Sequence, residues 1–263
     1  MAMTERERIP GQAPELVVEG PIATITLRRP DVANRLELSD LDAMHEHLAH
    51  LDAAPQVLVL RLRGEGRHFC SGFNIGRMDE DGGGQAGARF ERFAAALERA
   101  RAVTIAELHG GVYGGATDLA LACDFRLGSR QTEMQVPAAR LGLLFYRGGL
   151  ERFVSRLGLQ AAKLALLTAR TFSADEMLSI GYIDRLHDDA AALRADVDAL
   201  SQSLAGMAPL ALLGMKKHLN AIAASAVDAT ALADDIAQCA ASQDLREGAL
   251  AWQQRRAPRF SGR

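Results

Sequence analysis

The sequence predicts an α/β core followed by an all-helical C-terminal region. Two observations carry this. Between about residues 15 and 190, short apolar runs alternate with glycine-bearing turns and helical stretches, the pattern of a layered α/β domain. From about Ala190 the apolar spacing is helical only, as at Leu210, Leu213, Met215 and Leu219. Alanine becomes dense there, at 221–226, and glycine thins out. With 263 residues the chain is long enough for one large core and an appendage. The expected division is a flexible N-terminus at 1–14, a core at 15–190 and a helical region at 191–263.

The elements follow in order. Leu16-Val17-Val18-Glu19, the Gly20-Pro21 turn and Ile22-Ala23-Thr24-Ile25-Thr26-Leu27 predict a β-hairpin. A helix then begins at Ser39 as N-cap. Asp40 and Asp42 suit its first turn, and Leu41, Met44 and Leu48 are its apolar positions. The same helix carries His45, His47 and His50, whose spacing does not bring them onto one face in metal-ligand register. They read as a solvated face. A strand at 57–62 leads to a first glycine turn. The run at 81–87 lacks side chains for a core and reads as a mobile loop. A helix at 89–99 and a strand at 103–107 precede a second glycine turn. A helix at 116–123 follows, and Phe125-Arg126-Leu127 opens another strand.

Composition removes several function classes. Hydrophobic residues make up 48% and charged residues 24%, ordinary values for a soluble protein, and the net charge of −3 argues against a general nucleic-acid footprint. No apolar run reaches the length of a membrane span. The first 14 residues lack the apolar core of a signal peptide, and their acidic residues argue against a transit peptide. Cys70, Cys123 and Cys239 show no metal-ligand spacing and no disulfide framework. They read as reduced thiols in a cytoplasmic protein, with Cys70 a packed residue rather than a nucleophile.

The two glycine turns bear the chemistry. The first runs from Gly64 through Ser71-Gly72-Phe73-Asn74. The second runs Gly110-Gly111-Val112-Tyr113-Gly114-Gly115-Ala116-Thr117-Asp118 into an apolar helix. Both nucleotide fingerprints fail on residue identity: Val112 occupies the place of the second glycine in G-x-G-x-x-G, and no Gly-Lys-Ser or Gly-Lys-Thr occurs. Two such turns can aim backbone N–H groups at one developing oxyanion. Tight βα connections without chemistry explain the same glycines equally well.

Read over almost its full length, the chain resembles the crotonase superfamily, the enoyl-CoA hydratases and isomerases and their relatives. The matching stretches are Ile25-Thr26-Leu27-Arg28-Arg29-Pro30, His68-Phe69-Cys70-Ser71-Gly72-Phe73-Asn74-Ile75 and the run from Gly114 to Arg126. Further matches are Leu141-Gly142, Leu166-Leu167-Thr168, Gly181-Tyr182-Ile183 and the tail around Phe260. The resemblance implies a spiral of repeated ββα units, with C-terminal helices that pack on a neighbouring subunit in a homotrimer or dimer of trimers. It implies an acyl-CoA substrate, no cofactor other than the CoA that carries it, and no metal.

It also implies site residues. The N–H groups of Phe73 and Gly115 would hold the thioester oxygen. Asp118 stands where hydratases of the family carry the first of two catalytic glutamates, although an acid in a helix's first turn also serves the helix dipole. The second glutamate is replaced by Ala138, after Pro137, which puts two-carboxylate hydration in doubt. Tyr146 enters a space the family leaves open, either to give a proton or to reshape the acyl pocket. Arg147 reads as a surface residue that can also pair with a substrate carboxylate. Asn34, with Val32, belongs to the loop beside the nucleotide, near Arg28, Arg29 and Arg35. Ser71, Asn74, Ile75, Val112, Gly114, Pro137 and Ala138 complete the substrate-binding set, and the tail near Phe260 would close a neighbour's nucleotide site. The facing of Glu107 is open. The leading reading is an enoyl-CoA hydratase/isomerase-like lyase. The alternatives are a thioester or β-diketone hydrolase, with His68 close in sequence to the first turn, and a non-catalytic CoA-binding homologue.

Overall fold

The computed structural model describes residues 11–74 and 85–263. Strands β1 (Gln12–Glu19) and β2 (Ile22–Arg28) form the expected hairpin, with Glu19 opposite Ile22 across the Gly20-Pro21 turn; β1 starts within the stretch 1–14 expected to be a flexible end, of which residues 1–10 lie outside the described residues. Helix α1 (Leu38–Asp52) begins earlier than Ser39. Its N-cap is Glu37, whose N–H donates to the Asp40 carboxylate at 2.9 Å. A carboxylate one helical turn into the chain reaches back to the cap, so Asp40, not Ser39, settles where the helix starts. His47 Nε2 lies 3.1 Å from Pro14 O, and the His45 ring packs on Phe93. Among the described residues, no three His, Cys, Asp or Glu side chains are grouped as metal ligands would be.

Strand β3 (Val59–Gly64) lies parallel to β2, with Val59 opposite Ile22. Helix α2 (Gln85–Arg99) starts before the expected Arg89, so residues 85–87 of the expected loop are helical, while 81–84 fall outside the described residues. Then come β4 (Val103–Leu108), the short β5 (Gly111–Tyr113), α3 (Gly115–Ala122), β6 (Phe125–Ser129) and β7 (Glu133–Gln135). A 3-10 turn at Ala138–Leu141 leads to α4 (Arg147–Leu157), α5 (Leu159–Thr168), β8 (Thr171–Ser173), α6 (Ala174–Ser179) and β9 (Arg185–His187). Helices α7 (Ala190–Ala205), α8 (Pro209–Ala223), α9 (Ala229–Ala241) and α10 (Gln243–Gln254) complete the chain, as the change in periodicity near Ala190 predicts.

The strands form two sheets. The larger has the order β1-β2-β3-β4-β6-β9 and is parallel except for β1; the smaller has the order β5-β7-β8. Side chains alternate across the larger sheet. One face, with Ile25, Leu60, Leu62 and Ala106, packs on Leu41, Met44, Phe93 and Leu119 from α1, α2 and α3. The other face, with Val59, Ile105 and Leu127, packs on Leu193 and Val197 of α7. Glu107 shares the alternation of Ile105, and its carboxylate lies 3.7 Å from Arg194 Nε of α7. Glu107 therefore points to α7 and away from α3.

After α10 the tail turns back. The buried Asp244 carboxylate accepts the N–H groups of Ser261 at 2.7 Å and Gly262 at 2.8 Å, and Gln243 N–H donates to Arg263 O at 2.6 Å. On α8, Met215, Leu219 and Ile222 recur at helical spacing yet are 60%, 64% and 56% exposed. Among the described residues no helix is long and apolar enough to cross a membrane.

Candidate active site

The two glycine turns meet. Phe69 N–H donates to His109 O at 2.8 Å, Cys70 N–H to Gly111 O at 3.2 Å and Tyr113 N–H to Cys70 O at 3.0 Å. On its other side the first turn pairs with Leu36: Leu36 N–H donates to Gly72 O at 2.8 Å and Asn74 N–H to Leu36 O at 3.0 Å. A residue flanked in this way turns its own N–H to the opposite side. That residue is Phe73, and among the described residues its N–H has no backbone acceptor. Gly115 is the first residue of α3, so its N–H has no partner within the helix. The turns touch at Gly72, which has φ 88°: a Cβ there would lie 2.7 Å from Tyr113 O and 2.9 Å from Gly115 N. The N–H groups of Phe73 and Gly115 thus lie on either side of the contact at Gly72, the second at the positive end of a helix.

The expected substrate-binding residues separate into struts and walls. Asn34 is buried, and all its polar atoms are engaged. Its Oδ1 accepts Arg29 N–H at 2.8 Å, and its Nδ2 donates to Glu65 O and His68 O at 2.8 Å each. Its side chain braces the first turn. Ser71 Oγ donates to Val32 O at 3.2 Å, and Asn74 Nδ2 donates to the Glu37 carboxylate at 3.1 Å. Arg28, Arg29 and Arg35 pair with Glu15, Asp40 and Glu37. His68 Nδ1 accepts Gly111 N–H at 2.9 Å, so the imidazole braces the second turn. Burial pushes the Cys70 thiol up to about 12, and it stays protonated. Val112 is buried, and Gly114 precedes α3 with φ 55°. Pro137 and Ala138 are half-buried at the 3-10 turn, and Ala138 offers only a methyl group to the core. Arg147 is exposed and pairs with Glu151. Ile75 lies outside the described residues.

Asp118 and Tyr146 come together. The Tyr146 hydroxyl donates to Asp118 Oδ2. Burial, and next the charge of Asp118, push this phenol far above its ordinary range, so it stays a protonated donor. The structure adds a residue that sequence reading missed. Arg152 Nε donates to Asp118 Oδ1 at 2.8 Å and its Nη2 to Oδ2 at 2.5 Å, with the two side chains 4% and 0% exposed. Arg152 Nη1 also donates to Glu98 Oε2 at 2.9 Å, and Arg156 Nη2 to Glu98 Oε1 at 2.9 Å. Two arginines and two carboxylates balance in charge, as a buried cluster requires. The signal was present: Arg152 lies on the buried stripe of α4 between Gly149 and Phe153, where an unpaired charge would be costly.

An aromatic wall joins the N–H pair to this cluster. The Phe90 ring packs over Gly115, where a Cβ would come within 2.6 Å of it. Phe90 lies 6.1 Å from the Phe73 ring and 5.9 Å from the Tyr146 ring, and Phe145 stacks on Tyr146 at 5.0 Å. A separate cleft of about 320 Å³, lined by Leu210, Leu245, Gly248 and Phe260, includes none of these residues.

A parallel-rich sheet wrapped by helices, with a helix start beside a second glycine turn, is a layered α/β fold with one candidate site at that joint. The comparisons with known proteins agree. A family model described as enoyl-CoA hydratase/isomerase matches residues 18–263. The chain is 29% identical over 256 residues to the peroxisomal Delta(3,5)-Delta(2,4)-dienoyl-CoA isomerase of Arabidopsis thaliana, covering 90% of this chain and 91% of that one. It is 26% identical over 245 residues to the short-chain-enoyl-CoA hydratase of Clostridium acetobutylicum, covering 90% and 93%. An enoyl-CoA hydratase/isomerase family protein from Hyphomonas neptunium superposes with TM-score 0.89 at 27% identity, over 96% of this chain and 98% of that chain. This chain belongs to the enoyl-CoA hydratase/isomerase family, the crotonase superfamily, and has its fold.

Proposed function

We propose that the protein is an enzyme of acyl-CoA thioesters that stabilises a thioester enolate between the N–H groups of Phe73 and Gly115. The observation that carries this reading is the pair of adjacent backbone donors without acceptors, held by two braced turns. When a proton leaves the α carbon, negative charge gathers on the thioester oxygen. Each N–H aimed there is worth about 10²–10³ in rate. The start of α3 adds its dipole to the same point. Backbone donors leave the side chain at 73 free to be phenylalanine, which narrows the acyl pocket.

Hydratase or isomerase chemistry with Asp118 as the single carboxylate is the first reading, since Ala138 supplies no second acid or base. The loop at 29–34 would meet the nucleotide through its backbone, because the Asn34 side chain is engaged elsewhere. The reaction would need no cofactor beyond the CoA of the substrate. The outward apolar stripe of α8 supports assembly into a trimer or a dimer of trimers, in which the Phe260 tail would border a neighbour's nucleotide.

The engagement of Asp118 by Arg152 favours one further reading, a CoA-binding homologue without turnover. Mass spectrometry of saturated, unsaturated and 3-hydroxyacyl-CoA thioesters in ¹⁸O- and deuterium-labelled water separates the two. Deuterium at the α carbon or ¹⁸O at the β carbon, abolished by Asp118→Asn with CoA binding kept, supports catalysis. Released free acid supports a hydrolase. CoA binding with no label in any thioester refutes the catalytic reading.

A further inference from the structure

Asp118 is shielded from the acyl site by its own partners. A carboxylate has about four lone-pair sites. Here Oδ1 accepts Arg152 Nε, and Oδ2 accepts both Arg152 Nη2 and the Tyr146 hydroxyl, with no exposed surface on the residue. The phenol gives its one proton to Asp118; Arg152 also hydrogen-bonds its oxygen, which leaves one lone pair for another donor. Its ring abuts Phe90, the ring that covers Gly115. Tyr146 thus joins the buried carboxylate, through its hydroxyl, to the aromatic wall that covers Gly115, through its ring.

We propose that Tyr146 is the residue that exchanges a proton with the acyl group, that Asp118 is the acceptor behind it, and that Arg152 is the positioning residue that holds the two in line. The proposal rests on the acyl-CoA reading above. In the forward step the α-proton moves to the phenol oxygen while the phenol's own proton passes to Asp118 Oδ2. The C–H electron pair becomes the enolate double bond, and the carbonyl π pair settles on the oxygen facing Phe73 and Gly115. Asp118 loses a negative charge as the enolate gains one, so the site's total charge is unchanged. Reversal returns the proton to carbon. Arg152, gripped from behind by Glu98, prevents the carboxylate from turning away from the phenol. A proton-bearing oxygen supplied by tyrosine would stand in for the acid that Ala138 cannot provide.

The test follows α-hydrogen exchange of butyryl-CoA and the other thioesters in deuterated water, for the wild type, Tyr146→Phe, Arg152→Lys, Arg152→Gln and the double variant Tyr146→Phe/Arg152→Gln. Thermal melts show which variants fold, and Arg152→Lys keeps the charge if Arg152→Gln does not fold. Tyr146→Phe should lower exchange by about 10²–10⁴ with thioester affinity retained. Arg152→Lys should restore part of the rate lost in Arg152→Gln and displace the pH profile, which a purely structural role would not do. The double variant should be no slower than the slower single one. In parallel, carbon-13 labelling of the three tyrosines follows the Tyr146 phenol carbon, assigned with Tyr146→Phe. Its signal should move in Arg152→Lys and on adding butyryl-CoA. Wild-type exchange that survives Tyr146→Phe undiminished overturns the proposal and leaves the acyl-CoA reading intact. No wild-type exchange with any thioester overturns the acyl-CoA reading and the proton step together, and a Tyr146 signal that ignores butyryl-CoA then overturns the contact as well.

Discussion

Replacing Gly72 by alanine tests the joint between the two turns. Gly72 has φ 88°, and a Cβ there would lie 2.7 Å from Tyr113 O and 2.9 Å from Gly115 N, both backbone atoms that cannot rotate aside. The positive φ alone costs an L-residue about 1–2 kcal/mol. Overpacking against fixed atoms adds about 1–3 kcal/mol. At roughly 2–4 °C per kcal/mol for a chain of this size, the melting temperature should fall by several degrees or more. Gly20→Ala supplies the control. Gly20 has φ 60° with nothing within 4 Å of its Cβ position, so it carries the strain without the collision. To relieve the collision in Gly72→Ala, the turns must part, which moves the Phe73 and Gly115 N–H groups relative to one another. Enolisation of an acyl-CoA should then fall by about 10²–10³, the worth of one donor, while Gly20→Ala retains full rate. Deuterium exchange at the α carbon and thermal melts measure both quantities on the same samples. A Gly72→Ala protein that is destabilised but fully active would refute the argument that these two N–H groups act together.

Other consequences are equally direct. Arg152→Ala leaves Asp118 buried without its cation, and denaturant unfolding should register a loss of about 3–5 kcal/mol, with Arg152→Lys intermediate. Burial pushes the Cys70 and Cys123 thiols up to about 12, whereas Cys239 is partly exposed, so iodoacetamide at mildly alkaline pH should label Cys239 alone until the protein unfolds. The hydrogen bond from Arg256, then that from Arg259 N–H, brings Glu247 down from its ordinary 4.5 to about 2. A depressed carboxylate contributes above its unfolded value and loses that contribution as pH falls through the folded one. The protection of the tail amides, relative to their intrinsic exchange at each pH, should therefore fall between about pH 4.5 and 2, and Glu247→Gln should show the lower protection already at neutral pH.

Much of the architecture was legible because it is local. The hairpin at Gly20-Pro21, the strand–turn–helix alternation and the switch to helices near Ala190 depend on propensities and spacings within a few residues. Both glycine turns were visible for the same reason. The helix starts before Ser39 because the Asp40 carboxylate reaches back to the Glu37 N–H, a choice of hydrogen bond that the identity of the cap residue does not announce.

The site residues were less legible, since their meaning depends on what lies opposite in space. Asn34 was expected beside a nucleotide but spends its amide bracing residues 31 and 34 positions further on. Tyr146 and Asp118 were both singled out, yet nothing in their 28-residue separation announced that one bonds the other. Arg152 reaches Asp118 and Glu98 across 34 and 54 residues of chain. By itself the sequence determined the main elements as far as β6, the helical character beyond Ala190, the two turns able to present N–H groups, and the family resemblance. The tertiary structure alone decided which charges share a buried space, because a charge taken out of water must be met by whatever neighbour the packing delivers.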